Sequence, residues 1–219
     1  SEFAKIIAIL VVALYLGDNV HSYSKRFDLI KRPLFIDGVI LFIVWILQSD
    51  FGSMAVIFVI ICVCFLVPNH PQLRGYQRIL TILFYGVVLL GFISAINPFM
   101  DQYGTGYQLI SGLISFATGG WFGKGLGNSV RKYTNFPAAS TDYILAIVVE
   151  ELGFVGFIGL LAVYGFIIFV LLRYAMKMRS EKGRIILVGT AMYFLVHMFF
   201  NIGGVTGLIP LTGVPLLMV

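Results

Sequence analysis

A chain of 219 residues that is 59% hydrophobic and only 11% charged, with a mean hydropathy of +0.98, does not fit a water-soluble domain. Its formal charge of +5 invites a nucleic-acid reading, but the cations lie in short segments between apolar runs, where membrane orientation explains them better. Nucleic acid is therefore not an expected partner, and a polytopic membrane protein is the reading that remains.

Apolar runs near or above the roughly 20 residues that cross about 30 Å of hydrocarbon predict membrane helices. In chain order they cover 3–16, 33–48, 53–67, 79–96, 144–172 and 185–200, with a weaker apolar tail over 202–219. The alternating ten-residue strands of a β-barrel do not occur. The expected fold is an all-α, polytopic transmembrane helical bundle with a long extracellular loop carrying short amphipathic helices. Cys62 and Cys64 point to different faces of one helix, which implies neither a disulfide nor a metal pair. Eleven of the fifteen cations fall in three connecting loops: Lys25, Arg26, Lys31 and Arg32; Arg74 and Arg78; Arg173, Lys177, Arg179, Lys182 and Arg184. If each helix crosses once, these loops share a side, and the positive-inside rule makes that side cytoplasmic. The 97–143 loop is then outside. The chain opens on Ser-Glu at the head of a span and stops inside an apolar run, so it reads as a single transmembrane domain over 1–219, incomplete at both ends.

This topology gives the polar residues a common address. Glu2, Lys5, Asp50, Lys124, Arg131, Lys132 and Asp142 all fall near the outer leaflet. A charge left in hydrocarbon costs about 2.5–3.5 kcal/mol on insertion scales, so those below the headgroups should pair or line a polar cavity. Within the outer loop, "GTGYQLISGLISFATGG" carries Leu109, Leu113 and Phe116 at helical spacing, predicting an amphipathic helix at the interface. "GGWFGKGLGNS" then supplies five glycines in nine residues, a backbone that turns sharply and presents amides to an anion such as phosphate, beside the cations Lys124, Arg131 and Lys132. The plainer alternative is that these glycines only make turns and the cations meet anionic lipid headgroups.

The other polar residues also carry plain readings. Asp142 stands where a helix N-cap belongs, and Lys5 can snorkel to the interface with Glu2 as its i, i+3 partner. Glu150 and Glu151 lie about 12 Å further along the helix from Asp142. At least one should face the interior, and Glu151 is expected as a buried structural acceptor. His197 reads as a packed core residue, and no His cluster suggests zinc.

The stretch "GKGLGNSVRKYTNFPAASTDYILAIVVEELGFVG" resembles the signature of the SEDS family (shape, elongation, division and sporulation proteins), whose members include FtsW, RodA and SpoVE. "SEFAK" at 1–5, "LQSDFGSM" at 47–54, "NPFMDQYGTGYQLISGL" and "NIGGVTGLIPLTGVPL" resemble further family elements in the same order. The GLGNS form is nearer the FtsW branch. The resemblance implies a peptidoglycan glycosyltransferase that polymerises lipid II at the outer face of the bacterial cytoplasmic membrane during division or elongation, beside a class B penicillin-binding protein.

By the same resemblance the catalytic carboxylate maps to Asp142, and Glu2, Lys5 and Asp50 to polar positions of the family's central cavity. A carboxylate suits a reaction in which a sugar hydroxyl loses its proton while attacking an anomeric carbon. Lys5, Lys124, Arg131 or Lys132 could stabilise the departing lipid pyrophosphate, alone or with a divalent cation (Mg or Mn) on Asp50 or Glu2; no organic cofactor is implied. Direct displacement from an α-linked donor to a β-linked polymer is inverting and needs no covalent nucleophile. Three positions depart from the family pattern: Ser140 replaces the usual His before Thr-Asp, Ser49 replaces Pro in the Gln-Pro-Asp element, and the Arg common before Asn-Pro is absent near Ile96. The competing functions are a lipid II flippase and a non-catalytic scaffold of the division machinery. The topology predicts that a cysteine at Gly104 or Thr134 is labelled by an impermeant maleimide added to intact cells. One at Ser180 should be protected, and labelling there would invert the orientation.

Overall fold

The computed structural model describes residues 2–19, 28–48, 51–68, 73–94, 105–129 and 144–208. Among them the regular structure is helical: α1 (Glu2–Asn19), α2 (Asp28–Gln48), α3 (Phe51–Leu66), α4 (Arg74–Ser94), α5 (Thr105–Gly119), α6 (Ile144–Lys177) and α7 (Glu181–Thr206). Six lie over the expected apolar segments, and α5 lies within the 97–143 stretch between two of them. By length and composition α6 and α7 are able to cross a membrane, and shorter apolar stretches cover Gly52–Leu66 and Ile110–Gly119. The remaining helices run beyond their apolar segments into charged sequence. Helix α2 takes in Asp28, Lys31 and Arg32, and α4 begins on Arg74 and includes Arg78.

The helices fall into two compact units, one of Ser1–Val88 with Ile167–Val196 and the other of Leu89–Phe166 with His197–Val219. In the first, α1 packs on α2 and α3, which also pack on each other. Helix α1 shows why: Ala8, Ile9, Val12, Ala13 and Leu16 recur at the three- and four-residue spacing of one face and are buried. The opposite face, with Phe3, Ile6, Ile7, Leu10 and Leu14, is exposed and equally apolar. A helix apolar all round suits lipid on its outer side rather than water.

The C-terminal carbonyls of α3 are left orphaned by the helix geometry and are closed by side chains. The Gln77 Nε2 group donates to the carbonyls of Phe65 (3.2 Å) and Pro68 (2.8 Å), and Arg184 Nη2 donates to that of Val67 (3.0 Å). A cation at a helix C-terminus also complements its dipole. Arg184 in addition pairs with Glu181 at 2.9 Å, so one basic residue in the first turn of α7 joins that turn to the end of α3.

Helix α5 differs from the expected amphipathic surface helix. Ser111, Gly112, Ser115 and Gly119 are buried, while Ile110, Leu113 and Ile114 are exposed. The small residues recur every four positions and let backbones approach closely: a Cβ at Gly119 would lie 2.2 Å from the Val149 carbonyl oxygen of α6. This is the packing logic of membrane helices, where large apolar side chains gain nothing by leaving lipid and close contact supplies the attraction.

Gly189 plays the same part in the first unit, since a Cβ there would lie 2.7 Å from Ile9 Cγ2 and 2.9 Å from Cys64 Sγ. Gly189→Leu should therefore overpack the α1–α3–α7 contact and destabilise by about 1–3 kcal/mol, read as a lowered thermal midpoint of the full-length protein in detergent. Gly165→Leu, where a Cβ meets nothing within 4 Å, serves as the control and should leave the midpoint in place.

Candidate functional site

Two polar clusters stand out among the described residues, one in each unit. In the first unit Lys5 is fully buried at 0% exposure and its ammonium meets Glu2 Oε1 at 2.6 Å. The hydroxyl of Tyr193 on α7 donates to the other carboxylate oxygen, Oε2. The i, i+3 spacing places both charges on one face of α1, and burial makes the pairing obligatory, because an ammonium without a counter-charge is very costly in an apolar interior. Lys5 therefore does not snorkel; its partner comes to it. The Glu2 side chain remains 37% exposed, which leaves the cluster one open side.

The second cluster forms where the glycine-rich segment meets α6. Inside α6, Gly153 has φ 70° and ψ −169° and breaks the helix. Such a break frees carbonyls before it and amides after it, and each needs a new partner. The loop supplies all four: Lys124 N–H and Gly125 N–H donate to the carbonyls of Glu150 and Glu151 (3.0 Å each), while Phe154 N–H and Val155 N–H donate to those of Gly120 (2.9 Å) and Trp121 (3.1 Å). Glycine is required on both sides of this clasp. A Cβ at Gly123 (φ 74°) would lie 2.1 Å from the Glu151 carbonyl oxygen, and one at Gly153 would lie 2.3 Å from the Gly123 nitrogen.

Side chains then lock the clasp. The Glu150 carboxylate, 1% exposed, accepts from Lys124 Nζ at 2.8 Å through Oε1 and from Ser129 Oγ at 2.6 Å through Oε2. Asn128 Nδ2 closes the turn onto the Lys124 carbonyl at 3.1 Å. Charge-assisted bonds of this kind are the stronger class.

The expected roles change accordingly. The amides of Gly123, Lys124 and Gly125 do not await an anion; they are bound to the carbonyls of Gly119, Glu150 and Glu151. Lys124 is tied to Glu150, while its side chain stays about one-third exposed (34%). The buried acceptor is Glu150 rather than Glu151, because the helix break brings Lys124 and Ser129 to the former. Glu151 keeps one buried oxygen, Oε1, without a hydrogen-bond partner. Each Glu2 oxygen accepts a hydrogen bond, from Lys5 and from Tyr193, and the described residues contain no group of three or more His, Cys, Asp or Glu able to hold a metal. His197 is buried, as its apolar setting suggests. Asp142, Asp50, Arg131 and Lys132 lie outside the described residues.

Three participants give no signal in the sequence. Tyr193 is one aromatic residue in an apolar run, Ser129 is one hydroxyl beside a glycine turn, and Gly153 shares its helix with Gly156, Gly159 and Gly165. Asp37 also escapes sequence reasoning: it is buried in α2, and neither carboxylate oxygen has a hydrogen-bond partner among the described residues. Removing the lock should be measurable. Glu150→Ala strands Ser129 and costs about 1–3 kcal/mol, while Lys124→Met costs at least as much because it leaves the buried Glu150 carboxylate without its counter-charge. The thermal midpoints of the two variants and the double variant in full-length protein give the coupling, and a coupling of zero would remove the lock.

The sequence profile of the cell cycle protein family FtsW/RodA/SpoVE matches residues 1–219. The chain is 33% identical to the probable peptidoglycan glycosyltransferase FtsW of Francisella salina, covering 99% of this chain and 56% of that protein. It is 36% identical to the peptidoglycan glycosyltransferase RodA of Mycobacterium tuberculosis, covering 97% and 49%. The chain thus spans about half the length of the curated relatives it matches. Among solved structures, a crystal structure of a point mutant of the Thermus thermophilus rod-shape-determining protein RodA superposes with a TM-score of 0.62 at 22% identity, over 97% of this chain and 57% of that one. A peptidoglycan synthase complex contains a chain that superposes at 0.60 with 21% identity, over 97% and 60%. The helical fold and the full-length match agree: the chain belongs to the FtsW/RodA/SpoVE family of cell cycle proteins.

Proposed function

We propose that the protein to which this chain belongs is a peptidoglycan glycosyltransferase, polymerising lipid II at the outer face of the cytoplasmic membrane in a multi-pass arrangement. The observation that carries the reading is a family match over every residue of the chain, with relatives from both the FtsW and RodA branches named for this activity. The peptidoglycan synthase complex among the structural neighbours supports a class B penicillin-binding protein as the partner.

In the proposed reaction a sugar hydroxyl attacks the anomeric carbon of the lipid-linked donor. A new C–O bond forms as the bond to the pyrophosphate oxygen breaks, with inversion at that carbon. Asp142 takes the hydroxyl proton as general base. Negative charge grows on the departing pyrophosphate, and cations fixed in advance stabilise it most. Lys5 suits this because Glu2 and the buried site hold its ammonium in place. Lys124 is held in the same way by Glu150, and Arg131 and Lys132 follow it in sequence. A divalent cation, held by Asp50 or Glu2, would supply further charge stabilisation of the pyrophosphate.

The test exploits the near equality of Asn and Asp as helix caps. In full-length protein Asp142→Asn should insert and bind its partner normally while glycan synthesis from labelled lipid II falls by at least about 10²-fold, the low end for loss of a general base. Near-normal synthesis at matched membrane levels would make Asp142 a cap and end this mechanism.

A further inference from the structure

The glycine-rich loop carries three large apolar side chains almost wholly outside the protein: Trp121 at 69% exposure, Phe122 at 84% and Leu126 at 76%. They do not sit on a slack segment. The four backbone bonds to the α6 break and the Glu150 lock fix the loop that displays them, and Trp121 stacks edge-on against Phe154, 5.4 Å between ring centres, directly after the break. From Phe154 the same exposed surface continues along α6 through Val155, Ile158, Val163, Phe166, Phe169 and Leu172.

The length of that surface sets its depth. Counting from Arg173, the first cation after the apolar run of α6, back to Phe154 covers about 30 Å at roughly 1.5 Å per residue, which is one hydrocarbon thickness. The break at Gly153 therefore falls at the far edge of the hydrocarbon, and the loop clasped to it lies at the boundary between acyl chains and headgroups. Trp and other aromatic side chains favour that level. Lys124 lies in the same loop with its side chain one-third exposed.

We propose that Trp121, Phe122 and Leu126 form a membrane wedge, inserted into the outer leaflet of the surrounding bilayer and anchoring the α6 break at a fixed height. The occupant of this surface is bulk lipid, because it continues the lipid-facing side of α6 without interruption. The wedge leaves the preceding reading of the reaction untouched and does not depend on it.

The test places single cysteines at Phe122 and Leu126 in the full-length protein, with Cys62, Cys64 and any other native cysteines replaced by Ala. Each is spin-labelled and reconstituted in liposomes of phosphatidylethanolamine and phosphatidylglycerol. Collision with oxygen relative to a water-soluble nickel chelate reports depth. Labels at Val163, mid-span, and Ser180, among the cations between α6 and α7, calibrate the two extremes. Both loop labels should give an oxygen-to-nickel ratio several-fold above Ser180 and below Val163. A ratio equal to that of Ser180 at both positions overturns the wedge. So does shielding from nickel that develops only when a partner synthase is co-reconstituted, since the surface would then belong to a protein contact. Glycan synthesis is measured separately on the same samples, so an inactive preparation does not decide the depth.

Discussion

Hydrocarbon offers no hydrogen bonds, and most of what is unusual in this chain follows from that constraint. A backbone donor or acceptor freed inside or at the edge of a bilayer has to find a partner in the protein. Helix α6 frees several at once by turning through a left-handed glycine, and the loop from Gly119 to Ser129 supplies them. The polar residues crowded near that break do not form a surface added to the fold; several of them complete it. Glu150 is buried because the loop brings a hydroxyl and an ammonium to its two oxygens.

The same constraint accounts for the Glu2–Lys5–Tyr193 cluster. A fully buried ammonium is tolerable only with a counter-charge held close, and the i, i+3 carboxylate provides it without long-range folding. Tyr193 then ties the carboxylate to α7. A charge pair formed within one helix is thus fastened to a second, and the arrangement keeps one side open at Glu2.

Much of the helix layout was legible in the sequence, because runs such as 53–67 and 185–200 admit no other regular structure in lipid. The pairing of Glu2 with Lys5 was legible for the same reason, being local. What stayed hidden depends on contacts remote in sequence. The serine and glycine face of α5 reads as weakly amphipathic until Val149 is placed against Gly119. Of two adjacent glutamates, nothing local says that the first accepts two bonds. The Lys124 and Gly125 amides looked available to an anion because the carbonyls that bind them lie more than twenty residues away. The family resemblance supplied what periodicity could not: a role for Asp142, and an order for motifs that are individually weak.

Because the clasp at Gly153 is made by main-chain groups, it constrains sequence divergence selectively. Gly123 and Gly153 admit no side chain, since each would drive a Cβ into the backbone of the other's segment. Position 122, whose side chain points away from the clasp, can drift among apolar residues without loosening a single bond. A homologue could therefore retune how firmly this edge grips its membrane, matching a thicker or thinner bilayer, while the break and the carboxylate beneath it stay where they are.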